Sequence, residues 1–303
     1  MKVLVTGIAG FIGSKLATAL IEKGYKVIGV DDFSTGFKKN VPSQSIMIEG
    51  DVSDPLTIEK INQYSFDYIF HFAGQSSGEI SFEDPIKDLK INTSSTLLLL
   101  DFAARKNIKR FFYASSMSVY GDKKEYVDEN SETDPKSFYG VGKLASEKYL
   151  SIYSNSNLKC TSLRLFNVYG ENQNLSNLKQ GMISIYLSMA LKNGIIHVKG
   201  SKDRFRDFIE INDVIKAILF LLDTPQKSSN EIYNISTGNK TTVEKVIKLI
   251  SQYLNTNVSY SGSTPGDQFG IYGNNKKIMD LGWNPDIKFE SGLKNLISKL
   301  KNE

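Results

Sequence analysis

The sequence predicts an α/β fold: a doubly wound parallel sheet followed by a smaller C-terminal lobe. Three observations carry this. Short β-branched and aromatic runs alternate with helical patterns through the first half, the signature of βαβ units with helices on both faces of a parallel sheet. The first such run passes through a glycine-rich loop directly into a helix. After about residue 167 the alternation stops and a different rhythm begins.

In chain order, KVLVT (2–6), KVIGV (26–30), SIMIEG (45–50), YIFHFA (68–73), RFFYAS (110–115) and CTSLRLF (160–166) read as strands. Helices are expected near 12–23, 54–63, 85–107 and 138–154. Right-handed crossovers between them give the doubly wound topology. A polar, Asn-rich loop (171–177) then leads to a helix near 178–192. IIHVKG (195–200) and RDFIEI (206–211) read as strands, and helices near 213–223, 242–254 and 289–301 complete the chain. The boundaries expected are 1–166 for the first domain, joined by parts of 205–237, and 167–204 with 238–303 for the lobe.

Composition narrows the function classes. The 303 residues are 40% hydrophobic and 23% charged, ordinary for a globular protein. No apolar run approaches the roughly 20 residues of a membrane span, and MKVLVTG enters a strand-like run without the apolar core of a signal peptide. Cys160 is alone, which excludes an intrachain disulfide, and His71 and His197 lie far apart. No metal and a cytoplasmic setting are expected. The net charge of +4 comes from scattered lysines rather than a basic stripe with aromatics, so no nucleic-acid partner is expected.

TGIAGFIG (6–13) carries Gly7, Gly10 and Gly13 between a strand and a helix. Glycine lets the backbone turn tightly and approach a pyrophosphate, while the helix N-terminus offers N–H groups and the positive end of its dipole. Asp31 closes the second strand 18 residues after Gly13. A carboxylate there accepts from a ribose 2′-OH and repels a 2′-phosphate, favouring NAD over NADP. Asp32 is placed to share that role. Asp51, in Gly50-Asp51-Val52, leaves a strand tip where this topology lets it meet an adenine amino group; read alone, it is a turn residue.

SFYGVGK (137–143) sets Tyr139 four residues before Lys143, on one face of a helix. The spacing is weak evidence, because a chain with 15 Tyr and many Lys also contains Tyr120–Lys124 and Tyr272–Lys276. Each of those has a glycine directly after the Tyr, in loop-like context.

Taken together, TGIAGFIG, DDFSTG (31–36), GDVSD (50–54), HFAGQ (71–75), SSMSVYG (115–121), FYGVGK (138–143), RLFNVYG (164–170), RFRDFIEINDV (204–214), YNISTGNKTT (233–242), PGDQ (265–268) and LGW (281–283) resemble the extended short-chain dehydrogenases/reductases of the NAD-dependent sugar-nucleotide epimerase/dehydratase family. The resemblance runs nearly end to end. It implies a Rossmann-like NAD domain and a C-terminal lobe binding a nucleoside diphosphate sugar. It also implies that Tyr139 is the catalytic base, with Lys143 and the positive nicotinamide ring favouring its phenolate, and that Ser116 hydrogen-bonds the same sugar oxygen. On the cofactor side it implies contacts from Gly7, Gly10, Phe11, Ile12, Gly13, Asp31, Asp32, Asp51, Val52, Phe72, Ala73, Gly74, Asn92, Tyr139, Lys143 and Phe166. On the substrate side it implies Gln75, Ser116, Met117, Asn167, Arg206, Asp267 and Ile271. SSGEIS (76–81) is expected to face the sugar as well.

The residues after Ser116 separate the family's chemistries. Dehydratases carry Asp-Glu there and decarboxylases keep a Glu; this chain has Met117 and Ser118. Asp31 disfavours the NADPH of many reductases. What remains is 4-epimerisation through a transient 4-keto sugar, with a ketoreductase or dehydratase, or a non-catalytic NAD-binding regulator, as alternatives. Thr264 stands where many members have a phosphate-binding Arg, a departure that removes one phosphate contact unless Arg204 replaces it; UDP remains the nucleotide the resemblance favours. Ile271 occupies the position where a large Tyr excludes N-acetyl sugars, which implies tolerance of both sugar types. Arg204, Arg206 and Asp207 also admit a plainer reading as a surface ion-pair group. Family members pair through two helices, here 85–107 and 138–154, so a homodimer is expected.

Overall fold

Alternation along the first strand sets the layers of the molecule. In β1 (Lys2–Thr6), Val3 and Val5 turn into one apolar cluster and Leu4 into another on the opposite face, the period-2 geometry of a strand buried on both sides. The chain continues through α1 (Phe11–Glu22), β2 (Lys26–Asp31), β3 (Ile46–Glu49), α2 (Pro55–Ile61) and β4 (Tyr68–His71). Then come α3 (Ser95–Arg105), β5 (Arg110–Ser116), α4 (Phe138–Ser154), β6 (Lys159–Leu165), α5 (Met182–Asn193), α6 (Ile211–Asp223), β7 (Glu231–Ile235), α7 (Val243–Leu254) and α8 (Phe289–Leu300). This is a computed structural model; it describes residues 1–302 except 124–125, 156–157 and 264–267.

Seven parallel strands form one sheet in the order β7-β6-β5-β4-β1-β2-β3. α1 and α6 cover one face through Leu16, Leu20, Ile218 and Leu221. α2, α3 and α4 cover the other through Ile61, Leu99, Phe102 and Leu150. The strand order reverses between β1 and β4. A crevice therefore opens at the carboxyl ends of these two strands, where doubly wound sheets hold ligands. The smaller lobe packs α5, α7 and α8 around its own apolar cluster. There Ile195–Lys199 pairs in parallel with Asn257–Ser261.

Four departures from the sequence reading bear on function. The helix expected over 85–107 is interrupted: Pro85–Asp88 is α-helical, Leu89–Ser94 forms a π-helical stretch, and α3 follows. RDFIEI is two strands, because the buried Asp207 turns its carboxylate inward to accept from Thr237 N–H (2.9 Å), Thr237 Oγ1 (2.6 Å), Gly238 N–H (2.9 Å) and Gly273 N–H (3.2 Å). Phe205–Arg206 therefore pairs with Thr241–Thr242, while Phe208–Glu210 pairs with Asn167–Tyr169. Arg204, Arg206 and Asp207 are all buried, which overturns the surface ion-pair reading. Finally, the segment after HFAGQ contains a short helix, Gly78–Glu83, capped by Ser77.

Candidate active site

Close backbone approach explains the glycines of the first loop. Gly7 has a φ of 72°, and a Cβ there would stand 2.7 Å from Ala73 N. A Cβ on Gly13 would stand 2.0 Å from Gly7 O. Loop, helix α1 and the end of β4 are thus pressed together, and the Thr6 hydroxyl ties them further by accepting from Phe72 N–H (3.2 Å) and Ala73 N–H (3.1 Å). Gly10 caps α1 without a side-chain hydrogen bond, so the first-turn N–H groups and dipole remain available to an anion.

Three confluent clefts, of about 280, 370 and 380 Å³, run from this loop to the smaller lobe. The first is lined by Gly7, Gly10, Phe11, Ile12 and Gly13, and by Ser116, Met117, Tyr139, Lys143, Phe166 and Asn167. Asp31, Asp32, Asp51, Val52, Phe72, Ala73 and Gly74 line the second. Gln75 lies where the two meet. The Asp31 carboxylate accepts from Ala9 N–H and Phe33 N–H, both at 2.9 Å, and burial pushes its pKa upward against those bonds. Asp51 is both a turn residue, accepting from Ser53 N–H at 2.8 Å, and part of the cleft wall. These residues fit a dinucleotide: a cradle that any Cβ would fill, an uncapped helix N-terminus, and a carboxylate at the end of β2.

The third cleft continues past Met117 and Asn167 into a basic pocket with Arg204, Arg206, Lys199, Lys136 and His197 on its wall. Burial pushes the Arg206 guanidinium down to about 10, the neighbouring Arg204 adding to this. Two buried arginines on one wall suit a diphosphate. Sequence reasoning missed Gln268, which lies in this cleft and donates to Gly121 O; its signal was its place directly after PGD.

Ser116, Tyr139 and Lys143 converge in the first cleft. Ser137 caps α4, its Oγ accepting from Gly140 N–H at 3.1 Å, and so sets Tyr139 in the first helical turn. Gly140 lets that turn approach the 117–120 segment, since a Cβ there would meet Ser118 O at 2.8 Å. Ser116 donates to Ser118 Oγ at 3.1 Å, and Ser118 lines the same cleft. Lys143 donates to Ala114 O at 2.9 Å, and its Nζ sits 5.7 Å from the Tyr139 ring centroid.

The electrostatics differ from expectation at Tyr139. Burial pushes its phenol up to about 12, the nearby Ser116 hydroxyl opposes this, and Asp88 adds to it. Lys143 bonds to the backbone of β5 and does not by itself prepare the phenolate. Its own ammonium is pushed down to about 8 by burial, with Asp88 and Glu147 working against the fall.

Two residues lie off the cleft walls. Asn92 is buried on the π-helical stretch, its Oδ1 standing 2.6 Å from where a Cβ on Gly74 would be. Ile271 is fully buried in a cluster with Val119, Tyr120, Val127 and Phe166, against which Met117 packs. It therefore sits one layer behind the wall. Asp267 and Thr264 lie outside the described residues, as does Lys124 of the Tyr120–Lys124 pair.

Comparisons with known proteins show the family and the fold. The sequence model of the NAD dependent epimerase/dehydratase family matches residues 3–236. The chain is similar to the UDP-glucose 4-epimerase of Thermotoga maritima solved with UDP-glucose, at 33% identity and a TM-score of 0.95, covering 100% of this chain and 99% of that one. It is also similar to the Thermus thermophilus UDP-glucose 4-epimerase solved with NAD, at 30% identity and a TM-score of 0.92, covering 99% of each. A UDP-glucose 4-epimerase of Corynebacterium glutamicum is 29% identical, over 94% of this chain and 91% of its own length.

Proposed function

The chain belongs to the NAD-dependent epimerase/dehydratase family, its cofactor is NAD, and from that premise we propose that it inverts C4 of a nucleoside diphosphate hexose. The substrates we favour are UDP-glucose and UDP-galactose or their N-acetyl forms. The observation that carries this reading is the meeting of Tyr139, Ser116 and Lys143 where the glycine-loop cleft joins the basic pocket. When bound against the glycine loop and Lys143, NAD would supply a reversible hydride acceptor for the sugar carbon.

In this reading Tyr139 Oη takes the proton of the C4 hydroxyl and later gives it back to the 4-keto sugar's oxygen. Ser116 hydrogen-bonds that same oxygen. Lys143 orients the cofactor's ribose and contributes positive charge beside the phenol. Gly7, Gly10 and Gly13 hold the pyrophosphate against α1, and Asp31 and Asp32 hold the adenosine ribose. Arg206, with Arg204 beside it, pairs the diphosphate of the substrate, and Asn167 and Gln75 line the sugar's path. Met117 and Ser118 offer no carboxyl group to drive dehydration or decarboxylation. Ile271, smaller than a tyrosine and one layer behind Met117, is the position we read as admitting N-acetyl forms as well. We assign 1–166 with parts of 205–237 to the cofactor, and 167–204 with 238–303 to the nucleotide sugar.

We also read the enzyme as a homodimer. Ile86 is 75% exposed, Ile152 64% and Val141 53%, on the segments expected to pair, and a second copy laid across them would remove this apolar surface from water. Light scattering is expected to give a dimer; a monomer at working concentration contradicts it. The reading keeps a cytoplasmic setting, in which the buried Cys160 stays a free thiol.

The test is proton NMR of the purified protein with UDP-glucose, UDP-N-acetylglucosamine and their galacto partners, each without added cofactor. Interconversion of a gluco/galacto pair is expected. Net consumption of added NADH or NADPH instead would favour a 4-ketoreductase, and no turnover of any nucleotide sugar, with or without added NAD, would overturn the reading.

A further inference from the structure

Asp88 looks like a solvent-facing residue in the sequence, in the polar run Asp-Pro-Ile-Lys-Asp (84–88). It is 3% exposed. Its Oδ1 accepts from Gln75 Nε2 at 2.8 Å and from Asn92 Nδ2 at 3.0 Å. Its Oδ2 is buried and has no hydrogen-bond partner among the described residues. That oxygen lies against α4, 3.8 Å from where a Cβ on Gly142 would stand, one residue before Lys143. The carboxylate also reaches the wall of the second cleft. A buried carboxylate with one unmatched oxygen is costly unless a positive charge answers it.

Lys143 is the buried cation nearby: its Nζ and Asn92 Oδ1 converge on the point where a Cβ on Gly74 would stand, at 3.6 and 2.6 Å, and Asn92 is the residue bonded to Asp88. The groups whose charge or ring bears on Lys143 are Asp88 from the 85–88 turn, Glu147 and Tyr139 from its own helix, Tyr113 from β5 and His71 from β4. Tyr113 and His71 are buried and neutral near pH 7, the first with its phenol raised and the second with its imidazole lowered to about 3, both by burial. Glu147 is already matched: Arg164 grips it through Nε (3.0 Å) and Nη2 (2.8 Å), and Ser115 donates to it at 2.5 Å. Burial pushes the Asp88 carboxyl upward, and Gln75, Asn92 and Lys143 act against that rise; Lys143 is the one cation among the described residues whose charge is seen to act on it.

We propose that Asp88 is a positioning residue of the active site: its carboxylate is the counter-charge that keeps the buried Lys143 ammonium protonated, and it fixes Gln75 and Asn92 beside it. Asn92 stands four residues after Asp88, on the same helical face, and this segment is tied to α4 by Ser146 Oγ donating to Asn92 O at 3.3 Å and Thr93 Oγ1 to Gly142 O at 3.4 Å. The proposal rests on the role given above to Lys143, but its test does not need turnover.

The test is NMR titration of Lys143 in protein labelled at the lysine side chains, its signal identified by loss in Lys143→Met. In Asp88→Asn, which keeps an oxygen for Gln75 and Asn92 and removes only the charge, the Lys143 midpoint is expected to fall by roughly one pH unit. The alkaline limb of any kcat/KM profile should move down with it. An unchanged midpoint overturns the proposal. If Asp88→Asn does not fold, the Asp88 side-chain carboxyl signal of the wild-type chain decides instead: ionised at pH 7 supports the counter-charge, protonated at pH 7 overturns it. Failure of the epimerase reading would show separately, as absence of turnover in the wild type while Lys143 still titrates as expected.

Discussion

Replacing Tyr139 by Phe removes one oxygen from a side chain that is 7% exposed. The fold should lose little: a hydroxyl contributes about 1 kcal/mol net through a hydrogen bond, and the Ser137 cap that positions the helix start is untouched. The rate should fall far more. A positioned proton-transfer group contributes about 10²- to 10⁴-fold. The upper part of that range applies because nothing nearby can substitute. Ser116 and Ser118 are aliphatic hydroxyls bonded to each other at 3.1 Å, and Lys143 donates to Ala114 O. The expected loss is about 10³- to 10⁴-fold in kcat, or about 4–5.5 kcal/mol of barrier. The assay is the initial rate of gluco/galacto interconversion by proton NMR, alongside NAD binding and thermal unfolding of the same sample. Turnover within tenfold of wild type, in a folded and NAD-bound variant, would refute the assignment of the base.

Three further outcomes are expected. Gly13→Ala puts a Cβ 2.0 Å from Gly7 O, so loop and helix must separate; NAD affinity measured by calorimetry should drop about 10- to 100-fold, the equivalent of 1–3 kcal/mol of overpacking. Arg164→Met strands Glu147, whose pair with Arg164 is 4% and 2% exposed at the two side chains, and urea unfolding should show a loss of about 3–5 kcal/mol. His71 is held neutral by burial, with its pKa lowered to about 3. The unfolded chain therefore binds the extra proton first as pH falls below about 6.5, and stability is lost from there toward pH 3. By pH 5 the loss from this group should be about 2 kcal/mol, and the difference in unfolding free energy between wild type and His71→Gln should shrink by that amount between pH 7 and 5.

The parallel sheet was legible because its strands are buried on both faces and read as unbroken apolar runs, such as Val3-Leu4-Val5 and Phe111-Phe112-Tyr113. The helices near 54–63 and 138–154 were legible as local helical patterns, and the structure shows Asp54 capping α2 and Ser137 capping α4. β7 escaped because it is an edge strand, Glu-Ile-Tyr-Asn-Ile, whose place depends on a long-range partner, β6. The split at Asp207 escaped because its cause is four donors supplied from 30 or more residues away. At the site, the glycine loop and Tyr139–Lys143 are local patterns that carry their own geometry. Asp88 and Glu147 are not: acidic residues on helices ordinarily face water, and only the fold reveals that these two are buried around Lys143. Ile271 was reached through the family resemblance, yet its place behind Met117 depends on how Val119 and Phe166 pack.

The central claim is that C4 is oxidised and reduced by one enzyme that returns the same hydride. UDP-glucose carrying deuterium at C4, incubated with the protein in ordinary water, tests it directly. The account predicts UDP-galactose that keeps its deuterium at C4. A product whose C4 deuterium has been exchanged for solvent hydrogen would contradict it, because the carbon would then have been inverted by loss of a proton and not by hydride transfer.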